Sequence, residues 1–274
     1  MALSVRTNVS ALMGAGNLNR TQKGLAASLA KISSGARINK AADDAAGLGV
    51  ATNLETTIIS ARQGVRNAND GLSLIQTAES ATNEVSDMLQ RMRELAVQSA
   101  SETLANEERS YIQDEFSQLR SEIGRIAAVT EFNGIQLSNG TTSSVNVQVG
   151  INADANSQIA IDLINITTNG LGISAINLDT SANALAALST LDVALGSVNS
   201  GRSVLGAVQN RLDSAINNAG IYIEAMASAE GQIRDTEFAT ETANLTKLQI
   251  MQQAGVAALA QAKNINQAVV SLLN

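Results

Sequence analysis

The feature that most limits how this chain can fold is the length over which its apolar residues keep an alternating three- and four-residue spacing. One row runs through Leu185, Leu188, Leu191, Leu195, Val198, Leu205, Val208, Leu212, Ile216, Ala219, Ile223 and Met226. After a joint near Gly231 it resumes as Phe238, Leu245, Gln252, Leu259, Asn266 and Leu273, with Leu248, Gly255, Ala262 and Val269 as a second row. A 3.5-residue period keeps one stripe of a helix turned to a partner over many turns, which implies left-handed supercoiling. At 1.5 Å per residue, a helix over residues 185–230 is about 70 Å long. The chain contains no proline to interrupt it. The expected fold is mainly α: a long antiparallel coiled-coil or bundle rod with a small β-hairpin region in the middle of the chain.

Three further stretches carry the same period. Leu18, Leu25 and Ile32 lie seven apart, with Gln22, Leu29 and Ala36 as their companion row. A second run is Leu72, Ile75, Ala78, Thr82, Val85, Leu89, Met92 and Ala96. A third, Ile112, Phe116, Leu119, Ile123 and Ile126, follows Asn106 as a cap and Glu107 and Glu108 in a first turn. Between the helical halves the texture changes. Asn-Gly occurs twice, Val145, Val147 and Val149 alternate with polar residues, and so do Ile159, Ile161 and Leu163. These are short strands with hairpin turn chemistry. The two terminal stretches have seams diluted by Asn, Gln, Gly and Ser. Each ordered residue costs roughly 1–2 kcal/mol of backbone entropy, so these ends are expected to stay poorly folded until a partner adds surface.

Composition excludes more than it selects. With no His and no Cys among 274 residues, zinc sites, thiol nucleophiles and Ser-His-Asp triads cannot be built. No calcium-loop spacing is present. The acidic pairs Asp43-Asp44 and Glu107-Glu108 sit beside helix starts, where carboxylates suit the positive dipole end. No catalytic residue, metal ligand or cofactor site is assigned, and an enzyme is not expected. Net charge is −7 without basic clusters, which argues against nucleic acid. The apolar runs fall short of a bilayer span, so no membrane segment is expected, and the N-terminus lacks the apolar core of a secretory signal.

One segment does not follow its own period. In "LQRMRELAVQSA", residues 89–100, Leu89, Met92 and Ala96 make a seam, but Leu95 falls beside Arg91 and Gln98 on a flank. A solvated arginine beside a stray leucine is the ordinary explanation.

Several stretches together resemble bacterial flagellin: "KISSGARINKAADDAAGLGVA" (31–51), "NDGLSLIQTAESATNEV" (69–85), "LQRMRELAVQSA" (89–100), "EFNGIQL" (131–137), "LGAVQNRLDSAINN" (205–218) and "ETANLTKLQIMQQAGVAALAQA" (241–262). The resemblance runs in order along nearly the whole chain. It implies a subunit that polymerises into the extracellular flagellar filament, in a short form without outer variable domains. It implies an inner coiled-coil layer from about 1–43 and 235–274, with Leu18, Leu25, Ile32, Phe238, Leu245, Leu259 and Leu273 in its seam. The remaining 44–234 form a helical rod layer with β-hairpins at about 132–178. Arg37, Asn39, Asp43 and Asp44 fall at the layer junction, as caps or as a hinge or subunit contact.

The implied partners are other copies of the chain, filament cap and hook-junction proteins, and a cytoplasmic export chaperone on the C-terminal segment. Export without a cleaved signal, through the flagellar type III channel, follows from the same resemblance. So does recognition of the monomer by the animal flagellin-sensing Toll-like receptor, at positions matching Gln90, Arg91, Leu95 and Glu115. In a polymer the Arg91–Leu95–Gln98 flank becomes a subunit contact. A hook–filament junction protein is the nearest alternative. A coiled-coil adhesin or effector and a carboxylate-based enzyme are the competing classes. Gly231 and Gln232 in "EGQIRDTEF" and the terminal Asn274 depart from the family pattern.

Overall fold

The computed structural model describes the backbone of residues 8–271 and side chains as far as residue 264. Leu273, and the side chains of Asn266 and Val269, therefore lie outside the described residues. Helix α1 spans Val9–Ser34, α2 Ala45–Ala100, α3 Asn106–Val129, α4 Ser181–Arg234 and α5 Phe238–Ser271. Strands β1 (Glu131–Phe132) and β2 (Ile135–Gln136) form one hairpin; β3 (Ser144–Gln148) and β4 (Gln158–Asp162) form a second. The fold is mainly α, as the heptad rows predict. The chain divides into two compact units, Met1–Thr57 with Ala225–Asn274, and Ile58–Glu224.

In the unit Ile58–Glu224, one core gathers Val85, Leu89, Met92 and Ala96 of α2, Ile112, Phe116, Ile123 and Ile126 of α3, and Leu191 and Val198 of α4. A second core joins Ile75 and Ala78 to Leu205, Val208 and Leu212 and to the inward side of the larger hairpin, Val147, Ile159 and Ile161. The α4 row differs from expectation at its start. Leu185 is exposed, and the smaller Ala184, Ala187 and Ala194 are buried instead. Small side chains let a neighbouring segment come close, and the leucine rotates outward. By length and composition α4 could cross a membrane, contrary to the expectation that no run reaches that span. In the fold, its apolar residues Leu191, Val198, Leu205, Val208 and Leu212 supply the core.

Turn chemistry places the hairpins. Phe132 pairs with Ile135, leaving Asn133 (φ 50°) and Gly134 (φ 79°) as a two-residue loop with both residues at positive φ. That conformation matches the strand twist and selects Asn-Gly. In the larger hairpin Val145 opposes Ile161 and Val147 opposes Ile159, so the alternation read from sequence sets the register. Its inner end lies against α2: the Asn67 side-chain amide donates to the Gln148 carbonyl at 2.9 Å. A Cβ on Gly64 would overlap the Val149 carbonyl oxygen, so only glycine admits this approach. Strands end at Asp162. Residues 163–180 instead run as turns that bury Ile166, Leu171, Ile173 and Leu178. The Ser99 hydroxyl donates to the Leu178 carbonyl, and the Gln113 side-chain oxygen accepts from the Leu178 N–H, both at 2.6 Å.

In the other unit α1 and α5 pair through a narrow seam. Partial burial on α5 falls at Glu241, Leu245, Leu248, Gln252, Gly255, Leu259 and Ala262, an unbroken three–four pattern. On α1 it falls at Ala11, Gly14, Leu18, Thr21, Gly24, Leu25, Ser28 and Ile32. Leu18, Leu25 and Ile32 lie where their spacing puts them. The companion row does not: Gln22 and Leu29 point outward, and Thr21 and Ser28 are the buried positions. The reason is visible in the glycines. A Cβ on Gly14 would stand 3.1 Å from Leu259 Cδ1, and one on Gly24 would stand 3.3 Å from Leu248 Cδ2. Leucine knobs of α5 enter holes floored by small residues of α1, and a row of larger side chains could not accept them. Phe238, the first residue of α5, is 55% exposed and stands outside the seam, which begins at Glu241.

Candidate assembly surfaces

Two surfaces hold polar residues singled out from sequence, and a third is visible as a surface only in the structure. The first is the flank of α2 beside α3. The Arg91 guanidinium donates from Nε to Glu115 Oε1 at 2.9 Å and from Nη1 to Glu94 Oε2 at 2.9 Å. Its hydrogen bonds to Glu94, then to Glu115, hold Arg91 further into its charged form than a free arginine. Gln90 and Gln98 are exposed on either side, and Arg93 reaches Asp192 of α4 at 2.7 Å.

Leu95 is not on this surface. It is 1% exposed and belongs to the core with Met92 and Phe116. At about 100° per residue its direction differs from that of Arg91 by about 40°. That difference is enough here because α2 buries more than one stripe. Met88, Leu95 and Ser99 form a second buried row beside Val85, Leu89, Met92 and Ala96, as a helix shared between α3 and α4 requires. The irregularity in the period is the edge of a wider buried face.

The second surface is the junction between residues 34 and 47. Arg37 N–H donates to the Arg234 carbonyl at 2.6 Å, its Nη2 to the Ile233 carbonyl at 2.7 Å, and Ala36 bridges Asp235. The Asn39 amide side chain donates to Ser34 Oγ at 2.7 Å. Asp43 accepts from the backbone N–H groups of Asn39 and Lys40 at 3.1 and 3.0 Å, and these two bonds lower its pKa below the ordinary aspartate value. Asp44 accepts from the Gly47 N–H at 2.9 Å at the start of α2. All four residues thus have structural partners inside this unit. The helix break lies at residues 235–237, after Gly231, and Arg234 is tied to Glu55 at 3.0 Å and Glu230 at 3.2 Å.

The third surface is the outer side of the α1/α5 pair. Val9, Leu12, Met13 and Leu29 of α1 and Ile250, Met251 and Val256 of α5 are 47–70% exposed. In the seam between the helices, Leu18, Leu25 and Ile32 of α1 and Leu245, Leu248 and Leu259 of α5 are only partly buried, and the buried side chains are Thr21 and Ser28. Large apolar side chains left outside a seam that only half buries its own leucines depart from the pattern of a self-sufficient pair. In the sequence this surface is legible only as surplus large apolar residues off the seam.

Arg109 carries no signal in the sequence, yet it is enclosed. It is 6% exposed, and it donates from Nε to the Ser99 carbonyl at 3.0 Å, from Nη2 to the Ser101 carbonyl at 2.7 Å and from Nη1 to Asn106 at 3.1 Å. The carbonyl-rich end of α2 compensates its charge and locks the turn into α3.

These features define a helical protein whose chemistry lies in extended surfaces. Residues 5–143 match the bacterial flagellin N-terminal helical region, and residues 188–273 match the bacterial flagellin C-terminal helical region. A flagellin of Halalkalibacterium halodurans is 42% identical over 257 residues, covering 94% of this chain and 93% of that protein. The flagellar filament 33 kDa core protein of Treponema phagedenis is 39% identical over 285 residues, covering 98% and 99%. A crystal structure of Bacillus cereus flagellin aligns with a TM-score of 0.50 at 32% identity, covering 56% of this chain and 88% of that one. The chain belongs to the bacterial flagellin family, in a short form. Flagellins are structural proteins of the flagellar filament and not enzymes.

Proposed function

We propose that this chain is a subunit of an extracellular flagellar filament and that the outer face of its α1/α5 pair is covered by other copies. The observation that carries this reading is the terminal pair's uncovered apolar surface, with Leu12, Met13, Ile250 and Met251 exposed around a seam whose own leucines are only partly buried. A pair that buries so little of its own apolar surface gains most of its stability from neighbours, so ordering of the ends is coupled to joining the polymer. Contacts between unlike surfaces that repeat without closing give an open helical fibre.

Seeded polymerisation of the purified protein, followed by electron microscopy, tests this. The full chain is expected to elongate seeds into long uniform filaments, and chains lacking residues 1–40 or 236–274 are expected to fail. A full chain that never elongates filament seeds would overturn the reading and favour a hook–filament junction role.

Finer parts of the reading rest on the same surfaces. The exposed apolar side of α5 suits a cytoplasmic export chaperone before passage through the type III channel, a route that uses no cleaved signal. Cap and hook-junction proteins would meet the ends of the polymer. In the free subunit Gln90, Arg91, Gln98 and Glu115 form an accessible polar flank suited to the animal Toll-like flagellin receptor, and Leu95 supports that flank from beneath. Receptor signalling by verified monomer should fall on Arg91→Ala with Glu115→Ala. Unchanged signalling would defeat this part alone.

A further inference from the structure

Within the unit Ile58–Glu224, α3 presents an exposed stripe of Glu107, Tyr111, Asp114 and Gln118, spaced along one side of the helix. Tyr111 is 67% exposed, in a chain with only two tyrosines, three phenylalanines and no tryptophan. An aromatic ring flanked one turn away on each side by a carboxylate is the composition of an interface anchor. Neither Glu107 nor Asp114 has an ion-pair partner among the described residues.

Elsewhere in the unit, α2 and α4 enclose an open groove of about 640 Å³. Its apolar lining is Val65, Ile216, Ile221 and Ile223, with Arg62 and Arg66 along one side and Glu224 at the other. Ile221 is 70% exposed. The groove thus offers what the stripe lacks. It has an apolar slot for a ring, two guanidiniums for the carboxylates and for the ring face, and a carboxylate able to accept from the phenol.

We infer that the Glu107–Tyr111–Asp114 stripe of one copy docks in the Arg62–Arg66–Ile221 groove of the next. The proposal rests on the filament reading and adds a specific contact to it. The occupant must be a second copy. The Arg91–Glu115 bridge fixes the start of α3 beside the later part of α2, whereas Arg66 lies 25 residues earlier on the same continuous helix. At 1.5 Å per residue that separation is about 40 Å, so a chain cannot place its own Tyr111 in its own groove. Anchor and groove are different surfaces, so docking each copy on the next leaves a free anchor at one end and a free groove at the other. The contact is heterologous and open-ended.

Charge reversal with a compensating reversal tests the contact. Arg62→Glu with Arg66→Glu should elongate seeds about tenfold more slowly or worse, because it sets like charges opposite each other. Glu107→Arg with Asp114→Arg should do the same, and all four substitutions together should recover most of the rate. Circular dichroism should show unchanged helicity throughout. Elongation by the Arg62→Glu, Arg66→Glu variant at the wild-type rate, or no recovery when all four substitutions are combined, would overturn the proposal and leave the filament reading intact.

A second measurement does not depend on seeded growth. The natural chain has no cysteine, so Tyr111→Cys with Ile221→Cys in concentrated protein treated with diamide should give a disulfide ladder of dimers and higher species. Exclusively monomeric protein after oxidation would overturn the contact even if filaments fail to grow.

Discussion

At the scale of single residues, Leu95 and Arg91 separate two roles that the sequence presents side by side. Leu95 is fully enclosed in the core shared by α2, α3 and α4. Leu95→Ala should therefore cost about 2–5 kcal/mol, read as a lowered midpoint in urea unfolding. Arg91→Ala, at a half-exposed guanidinium, should leave that midpoint close to wild type and show itself only in association assays. Gly64 is a second decisive position, since a Cβ there meets the Val149 carbonyl. Gly64→Ala should push the larger hairpin off α2 and destabilise the unit by about 1–3 kcal/mol, with amide exchange increasing first at residues 144–162.

At the scale of elements, the α1/α5 pair is the sensitive one. The Glu241 carboxylate is held below the ordinary glutamate pKa by its hydrogen bond with Ser28, then by Asn244, with Lys31 nearby. A folded-state pKa below the unfolded value means that the contribution is complete above the unfolded value of about 4.3 and is lost as pH falls through the folded one. Acidification below about pH 4 should thus loosen α5 from α1 before the Ile58–Glu224 cores open. Limited proteolysis across a pH series, scored by where the first cuts fall, checks the order. The seam itself was half legible. Leu18, Leu25 and Ile32 followed from spacing alone, but Thr21 and Ser28 are its buried positions, Ser28 accepting from the Asn244 side chain while Leu248 and Leu259 of α5 come against Gly24 and Gly14. No property of α1 by itself announces where a partner's leucines will fall.

For the whole molecule, burial is unevenly shared. The largest enclosed side chains, among them Phe116, Ile75, Leu89, Ile161 and Leu191, all belong to the unit Ile58–Glu224. The terminal unit contributes mainly partial burial along one seam. Local opening free energy follows buried apolar contact. In dilute monomer, amides of residues 75–127 and 184–212 should be strongly protected, and those of 9–34 and 238–264 should exchange far faster. Polymerisation should close that gap. Equal protection in both units of the free subunit would contradict the coupling of terminal order to assembly.

The sequence by itself determined the helical class, the helical runs over 72–96, 112–126 and 185–226, the Asn-Gly turn chemistry and the alternation of the larger hairpin, but not that α2 begins as early as Ala45. Each is set by a local cause: a 3.5-residue period, the absence of proline, a positive-φ pair, or an alternation of two. Tertiary structure alone decided that Leu95 is core, that Phe238 and Leu185 are not, and that Tyr111 stands uncovered while Arg109 is enclosed. Periodicity gives the direction of a side chain from its own helix axis. Whether that direction meets solvent or protein depends on how many neighbours the helix has and how closely they approach, and those distances are set between segments far apart in the chain.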